Sequence, residues 1–211
     1  MIGHKLTLII DDFRRNGVIA GFETAFRVAR NIIWGDARLL FLMGRKDIVT
    51  CGKPAPRLRV VRFDRETGIN ANLQQMIERH RRHLWWDIDS LLKSGHVFYA
   101  GYAEEEMCCF AAIRSGPDVE RYFFPMGEDW MLISHCVTLP GARGKGFYPE
   151  LLQHVIHLNS EWCGTVVIDA SDWNRSSAKP IERVGFHRVG LGMHRHGGKI
   201  LFVPDRSSCD A

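Results

Sequence analysis

The chain has 211 residues, 45% of them hydrophobic and 25% charged, and carries a formal net charge of +4 at pH 7. This composition is ordinary for a globular protein, and the modest, interspersed charge argues against nucleic-acid binding. No apolar run approaches the roughly 20 residues that cross a bilayer, and the first residues lack a signal-peptide pattern. We therefore expect a cytoplasmic protein that binds neither nucleic acid nor membranes.

Two groups of residues give only weak evidence for other functions. The six cysteines include no Cys-x-x-Cys pair and no histidine at zinc-site spacing, which predicts reduced thiols and no metal. The basic run at 79–83, Arg-His-Arg-Arg-His, is more typical of a solvated helix face than of a binding surface.

The first part of the chain predicts an N-terminal extension. An apolar, strand-like run covers residues 6–10, and residues 19–33 follow a helical pattern whose apolar positions recur at steps of three and four: Phe22, Phe26, Ala29 and Ile33. The segment 51–56, Cys-Gly-Lys-Pro-Ala-Pro, breaks regular structure and predicts a linker. We expect residues 1–56 to pack on or beside a main domain of residues 57–211, where they would cap the sheet, contribute to a dimer or close over a site.

The main domain begins with predicted antiparallel strands and then changes character. The first predicted elements are a strand at 58–63, helices at 72–82 and 84–93, a hairpin of 96–102 and 107–113, and a strand at Trp130–Thr138. A helix, a strand at 165–170, a second helix and short strands at 186–191 and 200–203 follow. This order predicts an α/β (α+β) fold with a mixed, mostly antiparallel central sheet flanked by helices.

The segment 138–152, Thr-Leu-Pro-Gly-Ala-Arg-Gly-Lys-Gly-Phe-Tyr-Pro-Glu-Leu-Leu, follows a predicted strand and opens a helix. A glycine-rich turn there leaves backbone amides unpaired beside the positive end of the helix dipole. Gly144 and Gly146 let a phosphate approach the backbone, and Arg143 and Lys145 add positive charge. The pattern favours an anion site, although glycines that only shape a tight connection would give the same letters. It is neither a Walker loop nor a dinucleotide fingerprint.

Residues 140–146, Pro-Gly-Ala-Arg-Gly-Lys-Gly, resemble the acyl-CoA pyrophosphate turn of the GNAT superfamily of N-acetyltransferases. Further along the chain, a set of four residues resembles a second motif of that superfamily: Asn174, Ser177, Gly185 and Phe186. The resemblance spans about 58–203 and is specific from 138 to 186.

The resemblance implies a GNAT-like acyl-CoA fold and acetyl-CoA as cosubstrate, with direct transfer of acetyl to the amine of a small molecule such as an amino sugar. The backbone amides of 143–146 would hold the pyrophosphate, the strand before the turn would pair with the pantetheine arm, and Asn174 would bond the arm from the other side. The implied cofactor-binding residues are Cys136, Val137, Thr138, Arg143, Gly144, Lys145, Gly146, Phe147, Asn174 and Ser177.

A general base is needed because an alkylamine with a pKa near ~10 is mostly protonated at neutral pH. His135, on the strand that leads into the turn, has an ordinary pKa near ~6.5 and is the first candidate. On a regular strand His135 and Val137 would share one face, with Ser134 and Cys136 on the other. Glu128, just before that strand, is the second candidate base, although a histidine on a sheet and a carboxylate at a loop end both have ordinary structural roles.

The general acid is harder to place. The superfamily often carries a tyrosine that protonates the leaving thiolate, and the corresponding residue here is Ile181. Ser177 is the candidate acid, with Ser176 and Tyr148 as further hydroxyls, each of which also has an ordinary capping or packing role.

Four alternatives stay open at this point. The chain can be a catalytically silent acyl-CoA-binding module, an acetyltransferase for a protein or peptide amine, or an enzyme that uses a longer acyl chain. It can also bind phosphate or nucleic acid through the basic turn, in which case binding would weaken steeply with salt. Trp85 and Trp86 lie on the second predicted helix, 84–93, which by the resemblance would form one wall of the acceptor cleft. The sequence does not identify the acceptor. The expected oligomeric state is a monomer or a homodimer.

Overall fold

The structure, a computed structural model, describes residues 36–80, 83, 86–194 and 198–205 and nine helical residues between 10 and 29. Of the predicted strand-like run at 6–10, only Ile10 is described, and it is helical. The described residues of the predicted helix at 19–33 are helical, as expected. The side chains of Phe22 and Phe26 are 65% and 70% exposed, so the apolar side of this helix faces solvent at these two positions.

Eight strands form one sheet in the order β2-β3-β4-β5-β6-β1-β7-β8. Their bounds are β1 Asp36–Gly44, β2 Arg59–Phe63, β3 Val97–Ala103, β4 Glu106–Ser115, β5 Trp130–Thr138, β6 Thr165–Ser171, β7 His187–His194 and β8 Ile200–Pro204. All neighbouring pairs are antiparallel except β5 and β6, which run parallel. The predicted mixed, mostly antiparallel sheet is confirmed.

Five helices belong to the continuously described part of the chain. They are α1 Arg45–Thr50, α2 Ala71–Arg79, α3 Ile88–Lys93, α4 Phe147–Asn159 and α5 Arg175–Val184. The second predicted helix, 84–93, begins only at Ile88, because the Asp87 side chain accepts the Ser90 N–H at 3.2 Å and caps the first turn. Asn70 caps α2 in the same way through the Leu73 N–H, at 2.9 Å.

Both faces of the sheet are covered by helices. The face under α4 and α5, which we call the α4 face, has a core that includes Phe41, Met43, Ile133, Leu151, Ile168 and Ile181. The face under α2 and α3, the α2 face, has a core that includes Leu73, Ile88, Leu92, Phe98 and Phe110. Each face buries the apolar side of its helices, which is what holds the layers together.

Strand β1 is an interior strand, although it comes from the segment 1–56, which the sequence predicts to be an extension. It lies between β6 and β7 and pairs with both, from Arg38 opposite Ser171 to Gly44 opposite Thr165 on the β6 side. Phe41 and Met43 lie in the same core as α4. Residues 36–44 are therefore part of the sheet that carries the site.

A buried carboxylate ties the start of α4 to the chain before β2. Glu150, 3% exposed, accepts the Leu58 N–H at 2.9 Å and the Arg57 Nε at 2.9 Å. Arg57 also donates to the carbonyl oxygen of Lys145 at 3.2 Å. A negative charge in the first turn of a helix is favourable in itself, and this one also fixes the turn that precedes α4.

Replacing Glu150 with alanine tests this link. The change leaves the buried Leu58 N–H without its acceptor and Arg57 without its partner, so we expect the free energy of unfolding to fall by about 2–3 kcal/mol in urea denaturation. The control is Glu182→Ala, which removes an exposed helical carboxylate. Equal losses for the two variants would contradict the role given to Glu150.

Candidate active site

The turn between β5 and α4 presents backbone donors to solvent. Gly144 and Gly146 have φ angles of 78° and 82°, a left-handed conformation that favours glycine. Within the described part of the chain, no acceptor takes a hydrogen bond from the N–H groups of Gly144, Lys145 or Gly146. These donors lie at the positive end of a 13-residue helix, which is an arrangement suited to a phosphate.

The two cations of the turn are used differently. Arg143 points back toward β5, where its Nε donates to the carbonyl oxygen of Thr138 at 3.1 Å. Lys145 is exposed. Arg143 therefore braces the turn, while Lys145 remains at its surface beside the exposed amides.

A β-bulge separates β5 from β6 just before the turn. The parallel pairing of the two strands runs from Trp130 and Thr165 only as far as Ile133 and Ile168. The register between β4 and β5 then slips by one residue, and His135 takes a φ of 51°. The strands diverge beyond this point and leave a cleft, the β5–β6 cleft, bordered by residues 134–138 and 169–171.

The bulge also changes which side chains share a face. Ser134 lies opposite Ala112 and Val137 opposite Phe110, and both partners belong to the α2-face core. The expected grouping of Ser134 with Cys136 is therefore wrong, because the extra residue breaks the alternation. Cys136 packs against the α4-face core.

Both helices that follow the parallel strands begin at the cleft. Parallel strands end at the same edge of a sheet, so the start of α4 after β5 and the start of α5 after β6 lie on the same side of the molecule. Asn174 is the N-cap residue of α5, and its Oδ1 accepts the Ser176 hydroxyl at 2.7 Å. Ser177 is half-buried in the first turn. The turn at 143–146 and Asn174 with Ser177 thus lie at the same edge of the sheet, whereas Gly185 and Phe186 lie at the other end of α5.

Ile181 does not face this opening. Its side chain is fully buried in the α4-face core. The N–H of Phe186 donates to its carbonyl oxygen at 3.4 Å where Gly185, at a φ of 109°, ends the helix. This position therefore contributes packing and presents no proton donor.

Tyr148 and Cys136 meet on the α4 face of the cleft. Their side chains are hydrogen bonded to each other. Burial raises the pKa of the Cys136 thiol to about 12 and raises the pKa of the Tyr148 phenol well above its ordinary value. Both groups hold their protons at neutral pH, so the Tyr148 hydroxyl is a protonated donor inside the cleft.

His135 lies on the α2 face among aromatic rings. Its ring centroid is 5.1 Å from that of Trp86 and 5.4 Å from that of His96, with both pairs edge to face. Its Nδ1 is 2.9 Å from the Ser134 hydroxyl. Trp86 stacks on Phe110 behind it, while Trp85 lies outside the described residues.

These surroundings keep both histidines neutral. Burial lowers the pKa of His135 to about 4, with a smaller effect from His96. Asp169 raises this pKa, and Arg38 and Arg114 lower it. Burial and the charge of Arg114 also lower the pKa of His96. The sequence-based expectation of a base that titrates near pH 6.5 is therefore corrected by the structure.

A carboxylate that the sequence does not reveal borders the cleft on the β6 side. Asp169 follows Ile168, the last β6 residue paired with β5. It forms an ion pair with Arg38 of β1 and accepts the Tyr122 hydroxyl at 3.0 Å. Its partners come from distant parts of the chain, so no local pattern signals the cluster.

Glu128, the other predicted base, is not brought to the cleft. It is exposed and precedes β5, at the opposite end of the strand from the turn. Since a strand rises about 3.3 Å per residue, Glu128 lies roughly 20 Å from His135. The carbonyl oxygen of its neighbour Asp129 accepts the Gly164 N–H at 2.8 Å, an ordinary structural contact.

A groove of about 440 Å³ opens beside the turn on its α2 side. Its walls carry Arg79, His80, His83, Glu105, Glu106 and Lys145. The described residues of the basic run at 79–83 thus lie in this groove, next to the exposed amides of the turn.

Comparison with solved structures identifies the fold. A chain from Novosphingobium aromaticivorans, assigned to the GNAT family of acetyltransferases, superimposes with a TM-score of 0.51 and 16% sequence identity, covering 74% of this chain and 61% of its own. An acetyltransferase of the GNAT family from Colwellia psychrerythraea gives a TM-score of 0.52 and 9% identity, covering 74% of this chain and 53% of its own. The chain therefore has the GNAT fold, and it matches little more than half the length of these two structures.

Other comparisons add no relative. No family model matches the sequence, and no curated protein gives a significant match. Across the described residues, no helix has both the length and the apolar character needed to span a membrane. In the same part of the chain, no group of three or more His, Cys, Asp or Glu side chains is placed to hold a metal ion.

The burial of neutral His135 predicts an acid-sensitive contribution to stability. Its pKa is lowered on folding, so the unfolded chain binds the extra proton, and stability is lost as pH falls from about 6.5 toward 4. We expect His135→Gln to lose about 2 kcal/mol less than the wild type between pH 7 and pH 5 in urea denaturation. The control is His157→Gln, at an exposed position. An unchanged pH dependence in His135→Gln would contradict the burial of this ring.

Proposed function

We propose that the chain is an acetyl-CoA-dependent N-acetyltransferase that transfers acetyl directly to the amine of a small molecule. The observation that carries the proposal is the set of unpartnered amides at 144–146, at the start of α4 and beside a cleft between two parallel strands. The GNAT fold supports it. Acetyl-CoA supplies the acyl group in activated form, as a thioester.

The residues present fit this cosubstrate. The amides of 144–146 would bind its pyrophosphate, and the edge of β5 at Cys136, Val137 and Thr138, left unpaired by the divergence from β6, would hydrogen bond to the amides of its arm. Asn174 stands across the cleft at the start of α5. Lys145 adds positive charge at the surface of the turn.

On the acceptor side, the proposed base is His135. With a pKa of about 4 it is unprotonated throughout the physiological range, but it is a weak base. The amine would enter in its neutral form, its first proton lost to water, and His135 would remove the second proton during or after attack, when the developing positive charge has made that proton more acidic. Ser134, which is bonded to Nδ1, would hold the ring in place.

On the donor side, Tyr148 is the favoured proton donor to the leaving thiolate. It lies within the cleft and retains its proton, whereas Ser176 is exposed and bonded to Asn174, and Ile181 is buried in the core. Ser177 remains the second candidate, at the first turn of α5.

Gly144→Ala tests cofactor binding. An added Cβ would meet nothing within 4 Å, so it would project into the space assigned to the phosphate. We expect the affinity for CoA, measured by titration calorimetry, to fall at least about tenfold, because contacts to a charged group contribute about 1.5–3 kcal/mol. Gly68→Ala is the matched control, since Gly68 also has a positive φ and open surroundings. Each variant should lose roughly 1 kcal/mol of stability, and equal CoA affinities would overturn the cofactor assignment.

Tyr148→Phe tests the proton donor. Removing the hydroxyl should lower kcat by about 100-fold or more while CoA binding stays within about twofold of the wild type. Ser177→Ala is the comparison, because it removes the other candidate hydroxyl. A large loss in Ser177→Ala with none in Tyr148→Phe would transfer the role to Ser177.

The burial of Ile181 favours one alternative, a module that binds acyl-CoA without transferring the acyl group. Tight CoA binding by the wild type without turnover on a broad panel of amines would establish that alternative. Turnover on any small amine in the panel excludes it.

A further inference from the structure

Arg114 is a cation without a counter-ion on the acceptor side of the cleft. It lies on β4 opposite Leu132, two residues beyond Ala112, so it shares the α2 face with Ala112. Its Nη2 donates to the carbonyl oxygen of Asp118, and its Nε is buried without an acceptor. Among the described residues, no carboxylate forms an ion pair with it.

Arg114 is close to the proposed catalytic centre. Its charge acts on both His96 and His135. Ala112 lies opposite Ser134, the residue before His135. Arg114 is two residues beyond Ala112, so it lies about 7 Å along the sheet from this point. A long arginine side chain spans much of that distance.

Arg38 is paired with Asp169, and the lowered pKa values of the two histidines favour their neutral forms. The Asp118 carboxylate also acts on His96, but among the described residues it forms no ion pair with Arg114, whose guanidinium therefore has no carboxylate in direct contact. A partly buried, unpaired guanidinium is costly, and a carboxylate or phosphate is the partner that suits its planar donors.

We propose that the acceptor is an amine that also carries an acidic group, a carboxylate or a phosphate, and that Arg114 binds this group and directs the amine toward His135. The inference rests on the proposed acetyl transfer for the identity of the amine end. The acidic end depends on Arg114 alone. The Trp86 ring, beside His135, would form the wall between the two.

Pairs of amines that differ only in an acidic group test the inference: glucosamine 6-phosphate against glucosamine, and tyrosine against tyramine. Binding is measured by calorimetry in the presence of CoA, and turnover by thiol release from acetyl-CoA. We expect at least one acidic member to bind at least about tenfold more tightly than its neutral partner. The preferred pair then says whether the group is a phosphate or a carboxylate.

The variants separate Arg114 from the rest of the surface. Arg114→Gln should abolish the preference for the acidic member and Arg114→Lys should keep part of it, while Arg59→Gln, an exposed arginine on the edge strand β2, should leave it intact. No preference in the wild type, or a preference that survives in Arg114→Gln, overturns the inference. Arg114-dependent binding of acidic amines without turnover would support the Arg114 site and contradict the proposed acetyl transfer. Turnover without a preference for acidic amines would support acetyl transfer and contradict the Arg114 site.

Discussion

The divergence of β5 from β6 is the feature on which the rest of the site depends. Parallel pairing of two strands normally satisfies the backbone groups between them, and here it stops at Ile133 and Ile168 because an extra residue enters β5 at His135. The unpaired strand edge needs other hydrogen-bond partners. The same bulge turns His135 toward the α2 face and leaves Cys136 toward the α4 face. One backbone irregularity thus creates the cleft and gives its two sides different chemistry.

The two sides of the cleft carry different functional groups. On the α4 face, protonated Tyr148 and Cys136 face the cleft below the exposed amides of the turn. On the α2 face, neutral histidines stand beside Arg114, with Asp169 and Arg38 compensating each other. The first side suits an anionic donor molecule and a leaving thiolate, and the second suits a neutral amine attached to an acid. This division is consistent with the proposed transfer of acetyl across the cleft.

Sequence reasoning reached the features that are encoded locally. The turn at 143–146, the hairpin of β3 and β4 and the bounds of β5 are specified by glycines, alternation and turn residues within a few positions. The interior place of β1 could not be read in this way, because its partners lie more than a hundred residues away. The partners in the pairs Arg57 with Glu150 and Arg38 with Asp169 are also far apart in sequence, by 93 and 131 residues. The lowered pKa of His135 depends on its burial beside Trp86 and His96, which come from two other segments of the chain, so residue type alone did not indicate the pKa.

The proposed function depends most on anion binding by the turn, and amide NMR measures this binding directly. In a titration of the ¹⁵N-labelled chain with CoA, the amides of Gly144, Lys145 and Gly146 should show the largest chemical-shift changes, since each gains a charged acceptor where it has no protein partner. The amide of Gly68, in a distant turn, should not move. Saturating CoA that leaves the three amides unshifted, or shifts mainly another part of the chain, would contradict the account.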